Sequence, residues 1–477
     1  MKKNFYITTT LPYVNAKPHI GFALEIVQAD VIARQKKLQG YEVFFNTGTD
    51  EHGQKIYEAA KKEKMETQSY CDKYAAKFDG LKKALNLSYT DFIRTTDQHH
   101  VKATQEFWQL CHKKGDIYKR SYRIKYCVGC ELEKTDSELE GGLCPLHPNL
   151  ELEDREEENY FFRFSNYQKK LLDFYKKNPD FVVPEKRFNE IKNFVESGLN
   201  DFSISRLKEK MPWGVAVPGD PDQVMYVWFD ALVNYISTLG WPENKKKFES
   251  FWPGLQIAGK DNLRQQSAMW QAMLMSAGLP CSRQILIHGF MTNEGQKMSK
   301  SLGNVVDPLA LAEEFGTDAV RYYLLKYVHP FEDSDFSMES FKEVYNADLA
   351  NGLGNLVSRT ANMIEKDLGG KVKIGGQREA DLGEVDKSIE NYEFNLALQI
   401  VNQAVSAADA FIDSEKPWEL VKKNKDKAGR VLSRLADQIL IMADKLKPLL
   451  PETSEKIAKI FTAKKIVKPK KSLFPRI

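Results

Sequence analysis

Short apolar runs alternate with helical periods over roughly the first 290 residues of the chain. Residues 5–9 form a β-favouring run, and a turn containing Pro and Asn follows it. The next apolar residues recur every three or four positions, as on a buried helix face: Ile20, Leu24, Val27 and Val31. This order predicts a strand, a turn and a helix that ends near Gly40, which is the opening unit of an α/β fold.

The alternation continues after this unit. We predict strands at 41–46, 86–95, 255–258 and 284–289, strand and helix character at 224–236, and helices at 55–85 and 262–277. The periodicity breaks between about 115 and 221, so this segment is expected to be inserted into the α/β alternation. Beyond Asp307 only helical periods occur, at 309–315, 318–327, 341–365, 388–410 and 428–446. These helices predict an α-helical bundle.

The predicted fold is therefore a Rossmann-like nucleotide-binding domain, split by an insertion and followed by the bundle. Loops at the carboxyl ends of its strands are where such sheets bind ligands, and both halves are expected to supply one site. Five segments follow from these boundaries: 1–114, the first half of the Rossmann-like domain; 115–222, the inserted connective domain; 223–290, the second half; 291–345, a loop and linking helical segment; 346–477, the helical domain.

Composition narrows the class of protein. A chain of 477 residues predicts two to four domains. The formal net charge is only +3, so contact with nucleic acid has to come from local patches such as the basic tail at 464–476. No secretory signal and no apolar run long enough to span a bilayer is present, which predicts a soluble cytoplasmic protein. Six cysteines are too few for a disulfide framework.

Three of the six cysteines crowd into one short stretch. Cys127 and Cys130 form a CxxC, and Cys144 and His147 form a CxxH after a gap of thirteen residues. Two such knuckles converge on a tetrahedral ion, and three thiolates with one imidazole form a closed set that binds structural zinc. The alternative is buried thiols with a surface histidine. The spacing favours one zinc ion, held within about 122–160 of the insertion.

Two distant stretches carry residues suited to phosphate. Pro18 suits the first turn of a helix, which places His19 and Gly21 where free backbone N–H groups and the helix dipole attract anions. A lone histidine at a helix start is more often an ordinary surface residue. Far along the chain, Lys297 and Lys300 lie in the pentapeptide KMSKS, which predicts two mobile point charges on a flexible loop.

The P-H-I-G turn and KMSKS together resemble the two signature motifs of class I aminoacyl-tRNA synthetases. Further stretches resemble methionyl-tRNA synthetases over essentially the whole chain: TTTLPYVN, TGTDEHG, YVWFDALVNY, GKDNLR, KMSKSLGNVVDP and LFPRI. The resemblance implies a ligase that forms methionyl adenylate from ATP and methionine and then charges the terminal ribose of tRNA(Met), initiator and elongator alike. The resemblance also agrees with the zinc-binding insertion that the cysteine spacing predicts. Mg²⁺ is expected to bridge the phosphates, and a monomer is expected because no C-terminal dimerisation domain is apparent.

The resemblance also implies roles for individual residues. His19, Lys297 and Lys300 are the expected catalytic residues, and Gly21 and Asp261 join them in binding ATP. The expected methionine-binding set combines a carboxylate for the ammonium group with a largely apolar wall: Leu11, Tyr13, Asp50, Trp228, Ala231, Leu232, Tyr235, Asn262 and Gln266. The expected anticodon-binding set is Asn355, Arg359 and Trp418. From the residues alone, Asp50 would ordinarily be interpreted as a solvated carboxylate, and the aromatic stripe around Trp228 and Tyr235 as part of the core. The three anticodon candidates would ordinarily be interpreted as helix packing.

Two positions depart from the family pattern. Phe22 stands where a second histidine usually follows the glycine, and Gln266 stands where a histidine is common beside the methionine pocket. Three other functions stay open: a class I synthetase for another apolar amino acid, a catalytically silent RNA-binding relative, and a zinc protein that binds DNA. The first should lack the aromatic set, and the second conflicts with retained Asp50, Lys297 and Lys300. The third would need a basic recognition helix, which the small inserted knuckle does not provide.

Overall fold

The structure, a computed structural model, describes residues 3–127, 132–134, 139, 141–145, 148–298, 304–375 and 382–477. The described strands are β1 Asn4–Thr8, β2 Glu42–Thr49, β3 Asp91–Arg94, β4 Ile117–Cys127, β5 Leu132–Lys134, β6 Glu153–Phe162, β7 Val182–Val183, β8 Phe202–Ser203, β9 Ser205–Leu207, β10 Ala216–Val217, β11 Asp220–Met225, β12 Leu255–Gly259, β13 Gln284–His288, β14 Met291–Asn293, β15 Gln296–Lys297 and β16 Ser334–Phe336.

The described α-helices are α1 Ile20–Leu38, α2 Gln54–Lys62, α3 Thr67–Asp79, α4 Leu81–Ala84, α5 Gln98–Lys113, α6 Gln168–Lys177, α7 Glu185–Glu196, α8 Val227–Leu232, α9 Asn234–Ser237, α10 Lys245–Phe251, α11 Trp270–Ala277, α12 Pro308–Phe315, α13 Thr317–Lys326, α14 Met338–Val344, α15 Asn355–Leu368, α16 Gly383–Glu390, α17 Phe394–Glu415, α18 Pro417–Lys423, α19 Lys425–Leu446 and α20 Pro451–Phe461. Two π-helical segments occur at Gln265–Met269 and Tyr345–Gly354. Within these described ranges, no helix has the length and apolar character needed to cross a membrane.

The main sheet has six parallel strands in the order β3-β2-β1-β12-β13-β7. From β1 the chain adds β2 and then β3 on one side of the sheet, whereas from β12 it adds β13 on the other side. The connections therefore diverge between these two neighbours, which is the switch point where open α/β sheets bind ligands. The predicted α/β class and the strands at 5–9, 255–258 and 284–289 are confirmed to within one residue.

The segment at 115–222 forms its own antiparallel sheet of β5, β4, β6 and β8. It also contributes β7 to the edge of the main sheet, where Val182 and Val183 pair in parallel with Ile285 and Leu286 of β13. The sequence analysis did not predict this crossing, since a two-residue strand has no readable period. The exact limits of the five segments stay a prediction.

Several predicted elements differ in detail. The helix at 55–85 is three helices, because Lys64 and Gly80 interrupt it, and β2 continues through Thr49 into the predicted loop TGTDEHG. The helix at 341–365 contains the π-helical segment before Asn355. The helix α20 was not predicted.

The α/β part around α1 and the helical bundle share one hydrophobic core, which runs from Phe5 to Phe474. Arg321 of α13 joins these parts. Its guanidinium is fully buried and donates to Asp30 of α1 at 2.8 Å and to the carbonyls of Leu449 and Pro448 at 2.8 and 3.0 Å. A buried charge needs this degree of pairing, so Arg321 fixes the bundle against the nucleotide half.

The basic tail at 464–476 folds back on the bundle. Phe474 is buried in edge contact with Tyr345, at 6.0 Å between ring centroids, while the Asn346 side chain exchanges two hydrogen bonds with the Ile477 backbone. The tail lysines themselves remain exposed.

Candidate active site

A cavity of about 560 Å³ opens at the switch point between β1 and β12. The segments that follow β1, β2, β12 and β13 line it, together with the start of α1 and one face of α8 and α9. It brings together twelve of the residues predicted to bind methionine or ATP: Leu11, Tyr13, His19, Gly21, Asp50, Trp228, Ala231, Leu232, Tyr235, Asp261, Asn262 and Gln266. These residues are spread over more than 250 positions of sequence, so only the fold unites them.

Asp50 supplies a buried carboxylate at one end of the cavity. Its residue is 4% exposed, and its Oδ1 atom has no hydrogen-bond partner among the described residues. Burial raises the pKa of Asp50 well above its usual range, and the nearby charge of Asp230 adds to the increase. A buried, unpaired acceptor facing a cavity is suited to bind a cationic ligand group.

A second carboxylate, Asp230, lies behind Asp50. Its two oxygens are held by two imidazoles, His52 Nδ1 at 2.6 Å and His100 Nε2 at 2.9 Å. Burial opposes ionisation of Asp230, but these histidines outweigh it and lower its pKa to about 2. The pKa values of Asp50 and Asp230 are therefore shifted in opposite directions, that of Asp50 upward mainly by burial and that of Asp230 downward by the two histidines. Of these two carboxylates, Asp50 is the one with an oxygen left to offer a ligand.

The side wall of the cavity is aromatic and aliphatic. Trp228 is 41% exposed at its rim, whereas Leu232 and Tyr235 are almost fully buried. These residues follow one another on α8 and α9, and Tyr13 lies opposite, paired through its backbone with Asp50. The predicted aromatic stripe is thus shared between the core and the cavity.

Gln266 belongs to a chain of buried amides that ends at Tyr235. Its Nε2 donates to the Tyr235 hydroxyl at 2.5 Å, and its Oε1 accepts from Gln256 at 3.1 Å. Gln256 in turn accepts from the Ser282 hydroxyl. The direction of the chain is fixed because the Ser282 backbone N–H donates to Gln271 Oε1, which makes the Gln271 amide nitrogen the donor to Ser282.

The π-helical segment Gln265–Met269 places Gln266 in this chain. Since Tyr235 accepts from Gln266, its own hydroxyl proton is available to an acceptor in the cavity. Burial also raises the pKa of Tyr235, which keeps this proton in place.

His19 is the N-cap of α1 rather than a residue within its first turn. Its Nδ1 accepts from the Gly21 backbone N–H at 3.1 Å, and the Ile20 N–H donates to the Val306 carbonyl at 3.0 Å. The free N–H groups expected here are therefore already bonded. His19 is exposed to the cavity, but the protein atoms around its ring partly desolvate it and lower its pKa, which favours the neutral ring. Because Nδ1 accepts from Gly21, the neutral ring carries its proton on Nε2, ready to donate.

Gly21 and Phe22 shape the floor beside His19. A Cβ added to Gly21 would lie 3.0 Å from the His19 ring and 3.8 Å from Met298 Cε, so glycine keeps this approach open. Phe22, the departure from the family pattern, lines the cavity and packs edge-on against Phe78 at 5.5 Å. The position that would hold a second polar ring is instead part of the hydrophobic core.

An ion pair that the sequence analysis missed crosses the cavity wall. Glu25 Oε1 accepts from the Thr10 backbone N–H and hydroxyl at 2.7 and 2.6 Å, and Glu25 Oε2 lies 2.9 Å from His288 Nε2. His288 Nδ1 lies 2.8 Å from the Gly289 carbonyl, so both ring nitrogens donate. Burial opposes this protonation, but the Glu25 carboxylate raises the pKa of His288. The sequence signal that could have identified His288 as a site residue was its position at the end of a predicted strand.

The lysine loop begins at a hairpin beside the cavity. β14 and β15 pair across a turn in which Glu294 and Gly295 both have positive φ, and Met298 lies at the cavity edge. The backbone of Lys297 lies in β15. Lys300 lies outside the described residues.

Two of the three residues predicted to bind the anticodon, Arg359 and Trp418, lie side by side on the bundle surface, and the third lies one turn away on the same helix as Arg359. The Arg359 guanidinium lies 5.2 Å from the centroid of the Trp418 ring and donates to Asp413 at 2.9 Å. Trp418 is 39% exposed, and Asn355 is exposed one turn earlier on α15. An exposed aromatic ring beside a guanidinium plane offers stacking surfaces for a base.

Of the four predicted zinc ligands, Cys127 and Cys144 are described, and Cys130 and His147 lie outside the described residues. Both described thiols are fully buried, yet neither belongs to the hydrophobic cores, and the neighbours of Cys144 in the chain are exposed. Within the described part of the chain, no group of three or more potential ligands gathers around one point.

The parallel sheet, its switch-point cavity and the lysine hairpin define a nucleotide-binding enzyme of the α/β class with a helical appendage. Residues 5–152 and 149–361 match the sequence model of the family described as tRNA synthetases class I (M). The chain belongs to this family.

Named relatives cover nearly all of the chain. It is 45% identical over 476 residues to the methionine–tRNA ligase of Thermosynechococcus vestitus, covering 96% of this chain and 90% of the relative. It is 42% identical to the Rhizobium meliloti methionine–tRNA ligase, covering 95% and 90%. The Mycobacterium tuberculosis methionyl-tRNA synthetase in complex with methionyl-adenylate superposes with a TM-score of 0.90, at 38% identity, covering 99% of this chain and 100% of that one.

Proposed function

We propose that this chain is a methionine–tRNA ligase, which activates methionine with ATP and then transfers it to tRNA(Met). The observation that carries the proposal is the unpaired Asp50 oxygen beside an apolar wall in one cavity. The carboxylate would bind the methionine ammonium group. Trp228, Leu232 and Tyr235 would surround the thioether, which makes favourable contacts with aromatic edges. Leu11, Tyr13, Ala231, Asn262 and Gln266 complete the proposed methionine site.

The nucleotide would occupy the other end of the cavity, beside His19, Gly21 and Asp261. Adenylate formation needs no protein nucleophile, because the methionine carboxylate attacks the α-phosphate and pyrophosphate leaves. The protein positions the reactants and stabilises charge on the phosphates. His19 would donate from Nε2 to a phosphate oxygen. Lys297 and Lys300 would add positive charge from their loop, and Mg²⁺ would neutralise phosphate charge when bound.

Glu25 and His288 support this arrangement. Because Glu25 binds both the N–H and the hydroxyl of Thr10, it fixes the strand end that leads into the methionine site. The protonated His288 balances the Glu25 charge within the wall. The pair would hold the two halves of the cavity in a fixed relative position while the ligands react.

The buried Cys127 and Cys144 support a structural zinc ion held with Cys130 and His147. Two fully buried thiols that belong to neither hydrophobic core fit a metal better than they fit a core. The proposed anticodon site combines Asn355 and Arg359, which offer donors to a base edge, with Trp418, which offers a stacking surface. The proposed partner is tRNA(Met), initiator and elongator.

The experiment is amino-acid-dependent exchange of pyrophosphate into ATP with each of the twenty amino acids, followed by charging of tRNA(Met). Exchange with methionine alone and formation of methionyl-tRNA are expected. Exchange with a different amino acid would identify that amino acid, and not methionine, as the substrate. No exchange above background would favour the silent RNA-binding relative.

A further inference from the structure

A second cavity of about 550 Å³ lies in the helical domain, far along the chain from the catalytic residues. It forms between the segment that follows α15 and the first turns of α19. Four cationic side chains line it, Lys371, Lys373, Lys425 and Arg430, with Asp426 as the carboxylate among its lining residues. We call this cavity the basic pocket.

The four cations of the basic pocket have no ion-pair partner among the described residues. Other cations of the bundle are paired, such as Lys427 with Glu415 at 3.6 Å and Lys456 with Glu452 at 3.3 Å. Four positive charges and one negative charge leave an excess of three over one concave surface. Clustered like charges repel one another, and a concave surface concentrates their field on an anion that enters it.

The framework of the basic pocket is ordered by backbone contacts rather than by the charges. The Lys373 N–H donates to Ser433 Oγ at 3.2 Å, and Ser433 donates to the Gly429 carbonyl at 2.8 Å. Gly375 N–H donates to Asp437 at 2.7 Å. A Cβ built on Gly429 would meet no atom within 4 Å, so the wall formed by α19 is open to an incoming group.

The basic pocket and the proposed anticodon site share α15, and α18 of the anticodon site leads directly into α19 of the pocket. Arg359 and Leu368 lie nine residues apart on α15, which is about 13.5 Å along a helix. Trp418 and Lys425 lie seven residues apart, at the start of α18 and the start of α19. One nucleic-acid strand rises about 3.4 Å per nucleotide, so a separation of this size corresponds to roughly four nucleotides.

We propose that the basic pocket binds backbone phosphates of the tRNA strand that flanks the anticodon. The inference rests on the proposed function, because it takes its polyanion from the same tRNA. Lysines contribute charge without reading bases, so the pocket positions the strand, whereas Asn355, Arg359 and Trp418 contact the bases. It would therefore strengthen binding of any tRNA that enters this face and leave the choice of anticodon unchanged.

The test compares the double variant Lys373→Ala/Lys425→Ala with the control Lys456→Ala/Lys459→Ala, which removes two paired lysines of α20. Methionine-dependent pyrophosphate exchange and charging of tRNA(Met) are measured over a series of salt concentrations. The pocket variant is expected to raise KM for tRNA about tenfold without changing kcat or exchange. Its plot of log kcat/KM against log salt should flatten by about 0.7 for each phosphate that the pocket no longer neutralises.

A second measurement uses an RNA hairpin of the anticodon stem and loop. The pocket variant should bind it more weakly than the control does, and Lys425→Arg should retain binding because it keeps the charge. Charging, salt slope and hairpin binding equal to the control would overturn the proposal while leaving the ligase assignment intact. The proposal would also be overturned if millimolar inorganic phosphate displaced the hairpin and the variant charged tRNA normally. The pocket would then be an anion site unrelated to tRNA. Absence of exchange in the wild type would instead refute the proposed function.

Discussion

The Nδ1 atom of His52 lies 2.6 Å from Oδ2 of Asp230, and this contact joins the two sides of the proposed methionine site. His52 lies two residues after Asp50, and Asp230 immediately precedes Ala231. The bond therefore connects the loop that carries the carboxylate proposed to bind the ammonium group to the helix that carries the apolar wall. His100 holds the other oxygen of Asp230 and completes a buried charged cluster.

We predict that Asp230→Asn destabilises the protein by roughly 3–5 kcal/mol, as expected when one partner of a buried ionic cluster is removed. The pKa of Asp230 is lowered to about 2, below the unfolded value of about 3.9. Its contribution is thus fully present above about pH 4 and is lost as pH falls toward 2. Thermal unfolding at several pH values should show the difference between wild type and variant shrinking below pH 4. A constant difference would show that Asp230 acts through packing alone.

For Asp50 we predict the opposite effect on stability. Its folded pKa is raised, so above the unfolded pKa the free energy of unfolding falls as pH increases until the folded group also ionises. Asp50→Asn should therefore unfold at a higher temperature than wild type at pH 7, yet lose methionine-dependent exchange almost entirely. Methionine affinity of the wild type should weaken on acidification, because the ammonium group requires the ionised carboxylate. An Asp50→Asn protein that is less stable and still binds methionine would contradict this role.

The amide chain behind Tyr235 predicts an effect on selectivity. Gln256→Leu removes the donor to Gln266 Oε1, and an unsatisfied buried acceptor costs about 1–3 kcal/mol. The Gln266 amide is then free to turn, and the Tyr235 hydroxyl loses its fixed direction. We expect the ratio of kcat/KM for methionine to that for norleucine, which lacks the sulfur, to fall several-fold. Gln105→Leu, at an exposed amide remote from the chain, is the control and should leave the ratio unchanged.

The proposed zinc ion predicts one equivalent of metal per chain. Cys144→Ser should lose it and expose the inserted segment to proteolysis, whereas Cys281→Ser, a cysteine outside the segment, should keep it. Occupancy should decrease on acidification, since thiolates bind only when deprotonated. Metal analysis of freshly purified, unchelated wild-type protein that finds no zinc would rule the site out.

The exposed ring of Trp418 predicts a split between the two reactions. Loss of a stacked base costs roughly 1–3 kcal/mol, so Trp418→Ala should charge tRNA(Met) at least several-fold less efficiently. Exchange should be normal, because the adenylate site lies in the other domain. Leu396→Ala, at a residue that is 40% exposed on α17, provides a matched control. Equal loss of both reactions in Trp418→Ala would identify the ring as ordinary bundle packing.

The sequence was sufficient to predict the α/β class, several strands of the main sheet and most of the cavity lining, since these depend on local periodicity and on motifs that stand at strand ends. It could not show which hydrogen bonds each side chain would use. His19 was correctly placed at the start of a helix, but its bond to Gly21 and the bond from Ile20 to Val306 depend on tertiary packing. Glu25 and His288 escaped notice because they are 263 positions apart.

The basic pocket could not be predicted from the sequence either. Its lysines are ordinary surface residues in the sequence, and they come together only because residues 371–373 pack beside the first turns of α19. The π-helical segments were also unpredictable, because the apolar spacing of a π turn is hidden inside longer α-helical periods.

The π-helical segment Tyr345–Gly354 makes the local helical geometry of this region part of the proposed anticodon site. Each residue of an α-helix advances the side chains by about 100°, and each residue of the wider π-helix advances them by less. Refolding the same residues as regular α-helix would therefore rotate Asn355 and Arg359 about the helix axis relative to the residues before the segment. The proposed site thus depends on the conformation of a segment that precedes it, and a substitution that restored α-helix there would move Asn355 and Arg359 without changing either residue.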